Sequence, residues 1–410
     1  MKKSVLKNYA MLIAKVGANV QKGQYVELTV DVNQEEFANY VVEACYKCGA
    51  KHVKVRWTSD KLEKTTYKKA SLKTLCEFPN YEIERQKYLN DKLPCMIYIE
   101  SSDPDALNGV NQAKYTAVRR SHMQIIKPFR NIRENKYQWV IAGAASPAWA
   151  KKVFPGVPTK KAVNMLWEAI LKTSRCSEGQ NGVEEWQKHN EDLKKRFTYL
   201  NGLNLDYLHY ESKNGTNFKV WLNPLCVWQG GGEYGQESRI YFNPNIPSEE
   251  VFTSPLAGKA EGIVYSTKPL SFQGQLIENF SIEFKNGKVV KVKAEKGQES
   301  LEELIGLDDG AKMLGEVALV PFESPINQTG LLFCNTLYDE NAVCHLALGH
   351  GFTNLIKGYE KYTQEELFKM GVNDSNLHVD FMIGSKDLSI TGYTKEGKKV
   401  QIFKNGTWAF

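Results

Sequence analysis

A chain of 410 residues exceeds one ordinary domain, and two is the natural expectation. Its 42% hydrophobic and 24% charged residues are the composition of a globular protein able to bury two cores without disulfide staples. The net charge of +6, from 53 basic and 47 acidic residues, falls short of the strong basic bias of nucleic-acid-binding domains, so no nucleic-acid partner is expected.

At the N-terminus Leu6, Tyr9, Leu12, Ile13 and Val16 recur at helical spacing, interrupted by Lys7, Asn8 and Lys15. That pattern predicts an amphipathic structural helix rather than a secretory signal. No apolar run approaches the roughly 18–20 residues of a membrane span, so a cytoplasmic protein with no membrane partner is expected. Residues 25–32 form a β-rich apolar run, and Asn33 followed by Glu36 is a capping-box pattern that opens a helix ending near Gly49. With a further strand at 52–57 this makes a βαβ unit with a parallel pair. Buried strands are predicted at 96–100 and 138–142, with helical stretches between. The basic stretch 114–136, with Arg119, Arg120, Lys127, Arg130 and Arg133, reads as a solvated helix face. Of eight cysteines, only Cys45 and Cys48 make a C-x-x-C. They fall inside a helical pattern, which argues for reduced thiols rather than zinc or redox chemistry.

Composition turns polar and Gly-rich at 176–181, the expected boundary between an α/β domain with an open, largely parallel sheet (1–180) and a second domain (181–410). An amphipathic helix at 183–200 opens the second domain. Beyond it the texture is β. Asn-Gly pairs stand in it at Asn214, Asn286 and Asn405, and the second of these is flanked by alternating Phe280, Ile282, Phe284 and Val290, Val292. Asn-Gly between alternating runs is a strong hairpin signal. An α+β, β-dominated domain is therefore predicted, and the candidate chemistry lies within it.

Three of the seven histidines, His345, His350 and His378, lie between Glu340 and Asp380. In the triplet His378-Val379-Asp380, an extended backbone places the imidazole and the carboxylate on one face, as a divalent metal with mixed N/O ligands requires. Glu249 and Glu250 follow Ser248, where acids behind a Ser cap at a helix N-terminus are the plainer reading. Glu316 opens a continuous apolar strand, and a carboxylate there needs a partner. His345 sits among apolar residues, where a core histidine satisfied by a carbonyl is the plainer reading. The second imidazole and the unpaired acids of the same domain weigh against it. Glu250, Glu316, Glu340, His345, His378 and Asp380 together suit a carboxylate-rich two-metal site. Gly230-Gly231-Gly232 lacks the Lys-Ser/Thr of a P-loop, and neither G-x-S-x-G nor H-E-x-x-H occurs. Cys344 points away from His345 if both lie on a strand.

With these residues in view, the chain resembles the aminopeptidase T and aminopeptidase S family of co-catalytic metallopeptidases. The likeness is carried by NPNIPSEEVFTSP (243–255), LGEVALVP (314–321), LYDENAVCHLALG (337–349), HVDFMIGS (378–385) and SPAWAKKVFP (146–155). The resemblance implies that Glu250, Glu316, His345, His378 and Asp380 are metal ligands. It makes Glu316 the carboxylate shared by two ions and Glu340 a further position of the centre. It implies two divalent ions, zinc or cobalt with manganese or magnesium as further options, and peptide substrates with a free N-terminus. It also implies a homodimer whose C-terminal domains hold the sites. Glu249, beside a ligand, is the candidate general base for a water activated between the metals. One departure stands out: where the family has a tyrosine seven residues after the first ligand histidine, this chain has Phe352. A slow peptidase, a peptidase in which Tyr359 or Tyr362 substitutes, and a metal-binding relative without peptidase activity all stay open. So does a two-metal hydrolase of another substrate class.

Overall fold

The structure, a computed structural model, describes residues 1–236, 238–272 and 275–410. They form two compact units, Met1–Gln187 with Gly232–Ile246, and Lys188–Gly231 with Pro247–Phe410.

The first unit is built on five parallel strands in the order Asn245–Ile246, Trp139–Gly143, Cys95–Glu100, Tyr25–Asp31, His52–Thr58. Four of them match the predicted β runs. The fifth comes from a segment far along the chain, which nothing in the composition break at 176–181 signals. Leu28, Ile97 and Val140 align across the sheet and are fully buried. The helix Lys3–Leu12 packs its Tyr9 ring on Phe37 (centroids 5.6 Å apart), and Phe37 meets Trp167 at 5.2 Å. The expected capping box at Asn33 does not form. Asp31, at the strand end, instead accepts the Asn33 N–H at 2.9 Å and caps a 3-10 turn over Val32–Gln34, so the helix starts at Glu35. A short acid two residues upstream outcompetes the later cap for the same backbone donor. That helix ends at Lys47, and Gly49 takes φ +97°, as the C-cap reading requires. No helix among the described residues is long and apolar enough to cross a membrane.

The second unit is antiparallel and β-dominated, as expected. The Asn-Gly pairs at Asn214, Asn286 and Asn405 all turn hairpins. At the middle one, between Gln275–Lys285 and Lys288–Lys296, Asn286 (φ 52°) and Gly287 (φ 77°) both adopt the positive φ of a type I′ turn. A nine-stranded sheet and a five-stranded sheet share one apolar core. Leu208, Tyr210, Phe218 and Val220 come from the first, and Val317, Leu319, Leu346, Leu348 and Phe381 from the second. The five-stranded sheet runs His378–Met382, His345–Gly349, Leu314–Leu319, Val251–Thr253, Gln229–Gly230. One face of its central strands meets the shared core, and the other carries the candidate site.

Candidate metal centre

The strands Leu314–Leu319, His345–Gly349 and His378–Met382 lie side by side in antiparallel register. Glu316 pairs with Ala347, and Ala347 pairs with Asp380. Two carboxylates therefore flank a methyl group in one row, on the face turned away from the apolar core. His345 lies two residues before Ala347, and His378 two before Asp380, so both imidazoles join that face.

Strict alternation from Leu314 would have sent Glu316 into the core. A β-bulge between Leu314 and Glu316 shifts the register by one residue and turns the carboxylate outward, leaving Leu314, Val317 and Leu319 in the core. The bulge residue, Gly315, runs against the backbone of the next loop: a Cβ there would meet the His350 carbonyl oxygen at 2.2 Å. Glycine is required by that close approach. Glu250 arrives from the other side. The helix-cap reading of Glu249 and Glu250 is overturned, because both lead directly into the strand Val251–Thr253.

The result is two overlapping groups of candidate ligand atoms, Glu250–Glu316–His345 and Glu316–His378–Asp380, each within 4.8 Å of one another. Glu316 belongs to both. His345 Nε2 stands 3.1 Å from Glu250 Oε2, while its Nδ1 lies 3.2 Å from the Val343 carbonyl. His378 Nε2 stands 3.3 Å from Glu316 Oε2 and 3.4 Å from Asp380 Oδ1, with Nδ1 2.7 Å from the His350 carbonyl. In each ring Nδ1–H donates to a backbone carbonyl and so presents the Nε2 lone pair to carboxylate oxygens. This is the outer-shell arrangement that orients a metal-ligating histidine. His350 enters through its carbonyl, and its own ring lies against Phe368 and 3.7 Å from Asp374.

The electrostatics are those of a site short of positive charge. Burial pushes the Glu316 carboxyl up to about 7; Asp380 and Glu250 add to the rise, and the His378 hydrogen bond opposes it. Glu340 is also raised, first by burial and then by the charges of Asp380, Glu250 and Glu316, but it belongs to neither group of candidate ligand atoms. His345 rises to about 9: burial opposes protonation, and the facing Glu250 outweighs it. His378 rises for the same reason, with Asp380 and Glu316 facing it. Asp380 is held at about 2 against its own burial by the His378 and His345 charges. Asp380 Oδ1 is buried without a hydrogen-bond donor. Removing one partner of a buried ion pair costs on the order of 3–5 kcal/mol, so such acids persist only where a cation meets them. In the bare site, protons on the imidazoles fill that role. The imidazole and carboxylate donors, the lone pairs aimed at one another and the orphaned oxygen fit a divalent metal.

Glu249 is buried, with its N–H bonded to Asn341 Oδ1 at 2.8 Å and its carboxylate 3.8 Å from His189 Nε2. Asn341 and His189 were not singled out in the sequence. Asn341 also donates to Glu340 Oε1 (3.3 Å) and the Leu337 carbonyl (3.1 Å), tying the backbone of one acid to the side chain of another. An asparagine directly after a candidate ligand was the available signal; His189 on an amphipathic helix offered none. Phe352 stands at the site, its ring 5.1 Å from His378 and 5.4 Å from Phe252, and its N–H is held by Ser254 Oγ at 2.7 Å. Tyr362 is exposed, and Tyr359 packs on the Ile356–Leu367–Val372 cluster. Cys344 faces the core and bonds to the Val320 backbone, opposite His345 as alternation requires.

An acid-rich candidate metal centre thus stands on an antiparallel sheet, in a chain that also has a parallel α/β unit. The chain belongs to the thermophilic metalloprotease (M29) family, which it matches over residues 2–408. It is 43% identical to aminopeptidase AmpS of Bacillus subtilis (strain 168) over 406 residues, 99% of this chain and 98% of that one. Aminopeptidase 2 of Geobacillus stearothermophilus is 39% identical over 406 residues, with the same coverage. The solved structure of wild-type AmpT from Thermus thermophilus superimposes with a TM-score of 0.91 over all of both chains, at 34% identity. The expected family is thereby established.

The pKa shifts set a sign for stability. The protonated His345 contributes stability that is complete below its ordinary 6.5 and lost as pH rises through about 9. Glu316, shifted from 4.5 to about 7, loses stability in the same direction over that lower range. A divalent metal bound there would replace these protons, so the gap in Tm between metal-loaded and metal-stripped protein is expected to widen as pH rises from 6.5 to 9. Thermal scans across that range check this; a gap that narrows would contradict the charge account.

Proposed function

We propose that Glu250, Glu316, His345, His378 and Asp380, with Glu340 beside them, hold two divalent cations with which this M29 metallo-aminopeptidase hydrolyses the N-terminal peptide bond of peptides. The observation that carries the reading is the pair of Nε2 atoms aimed at carboxylate oxygens 3.1–3.4 Å away. Acceptor facing acceptor at that range needs a positive charge between them. Relatives named as aminopeptidases support peptides as the substrate class. Bound divalent cations supply Lewis acidity: they lower the pKa of a water towards neutrality and polarise a carbonyl.

The chain's own residues do the rest. Glu316, common to both ligand groups, would serve as a ligand to both cations. Glu249 is the proposed general base, taking the proton of the attacking water and returning it to the leaving amine. Asn341 holds its backbone in place. Phe352 brings an apolar ring against His378 and excludes water from that side, but offers no hydroxyl to a developing oxyanion. Zinc or cobalt as the ion, a homodimer as the assembly and a cytoplasmic location rest on likeness to the family.

Metal-stripped protein is expected to be silent on a leucyl chromogenic anilide, to regain turnover with Zn²⁺ or Co²⁺, and to leave the N-acetylated anilide intact. Hydrolysis of the blocked substrate would move the reading to another amidase. Glu249→Gln should retain its metal while turnover falls by about 10²–10⁴-fold; metal analysis alongside kcat decides, and unchanged kcat removes Glu249 from the role. Phe352→Tyr should raise kcat by up to about 10²-fold if the missing hydroxyl limits the rate. No gain in steady-state assays would mean that another donor serves the oxyanion.

A further inference from the structure

In the first unit the parallel sheet carries polar residues where such sheets ordinarily bury apolar ones. Thr29 is in register with Arg56 on one side and Tyr98 on the other, so one row across three adjacent strands is polar. The opposite face buries Leu28, Val30, Ile97 and Ile99 in the usual way.

Above the polar row lies a cavity of about 250 Å³. Arg56 reaches it from its strand, Arg85 from the helix Asn80–Lys92, and Arg133 from the end of the helix Gln112–Arg133. Tyr98 and Tyr137 bring phenol rings to the wall, and Leu89 and Met96 close it with apolar surface. Three guanidinium groups thus come from three separate elements to one small space, and no carboxylate lines it among the described residues.

Behind the lining, the charges do not cancel. Arg85 pairs with the buried Glu27 and lies 3.9 Å from Glu82, and Arg56 lies 3.5 Å from the same Glu82. Two acids therefore serve two of the arginines. Arg133 is held differently: its guanidinium donates to Asn90 Oδ1 at 3.1 Å and Gln86 Oε1 at 3.0 Å. Neutral amide oxygens fix the orientation of the fork without neutralising it, which is how a cation is kept ready for an anion from outside.

We propose that this cavity is a binding site for a small oxyanion, a phosphate or a carboxylate, gripped by Arg133 with Arg56 and Arg85 beside it. The planar fork of Arg133 suits two oxygens of one anionic group. Thr29 and the two tyrosines supply neutral donors, and Leu89 with Met96 bounds the group attached to the anion. The volume restricts the ligand to inorganic phosphate, a small phosphate monoester or a short carboxylic acid, below the usual size range of drug-like pockets. The site lies wholly within the first unit, so its test is independent of the peptidase reading.

The test is calorimetric titration of the zinc-loaded full chain with inorganic phosphate and, separately, with acetate, in wild type and in Arg133→Met. Any phosphate taken up at the metal centre is common to both proteins, and the difference between them reports the arginine cavity. Wild type is expected to bind one of the anions at millimolar concentration or below, and Arg133→Met to bind it about 10–100-fold more weakly. Arg133→Lys, which keeps the charge and loses the fork, should fall between. Far-UV circular dichroism and Tm are expected to be unchanged in both variants and so report correct folding. If Arg133→Met does not fold, Arg56→Gln serves, since that side chain is partly exposed, with about tenfold weakening expected. Preference for phosphate assigns a phosphate ligand, and preference for acetate a carboxylate. Absence of binding by both anions at millimolar concentration, or equal affinity in wild type and variants, overturns the proposal.

Discussion

The second unit of this protein depends on one constraint: Glu316 and Asp380 stand in a single row across three strands, buried, with only the methyl group of Ala347 between them. Like charges in a dry environment cannot stay ionised together without a counter-charge. The surrounding structure is arranged to receive one. Two imidazoles are locked by backbone carbonyls with Nε2 inward, a third acid enters from just before the neighbouring strand Val251–Thr253, and a fourth is tied down by a buried asparagine. Strand positions set the spacing of Glu316, His345, His378 and Asp380, and strands shift less than loops, so their geometry is held before any ligand arrives.

The same sheet shows how a fold separates stability from chemistry. One face of the strands Leu314–Leu319, His345–Gly349 and His378–Met382 gives Val317, Leu319, Leu346, Leu348 and Phe381 to a large core. The other face gives Glu316, His345, His378 and Asp380 to the site. The bulge at Gly315 is the device that lets an acid following a core leucine by two residues change sides. Phe352 marks a further choice. An aromatic ring fills the space beside His378 with apolar surface and brings no hydrogen-bonding group there.

Much of this was legible in the sequence. Period-two alternation and Asn-Gly turns give the β-dominated second unit, and the βαβ pattern gives the parallel first one. The triplet His378-Val379-Asp380 carries its own geometry, because any strand puts its ends on one face. The run at Glu316 announces an acid in an apolar strand. Other features were not legible because they depend on residues distant in the chain. The cap at Asp31 outcompeted Asn33 within a few residues, yet Glu249 and Glu250 lead into a strand only because Leu314–Leu319 lies alongside to pair with it. Nothing local foretold that 245–246 would join the first sheet, or that Arg56, Arg85 and Arg133 would meet.

The sequence alone therefore determined the element types, the two-part organisation and the identity of the acids and imidazoles, since these follow from periodicity, turn chemistry and the cost of burying charge. Tertiary structure alone decided which of those groups share a face, which nitrogen of each histidine points inward, and where positive charge is left over. Those outcomes rest on strand register, on a single bulge and on long-range pairing, none of which is encoded in any local stretch of the chain.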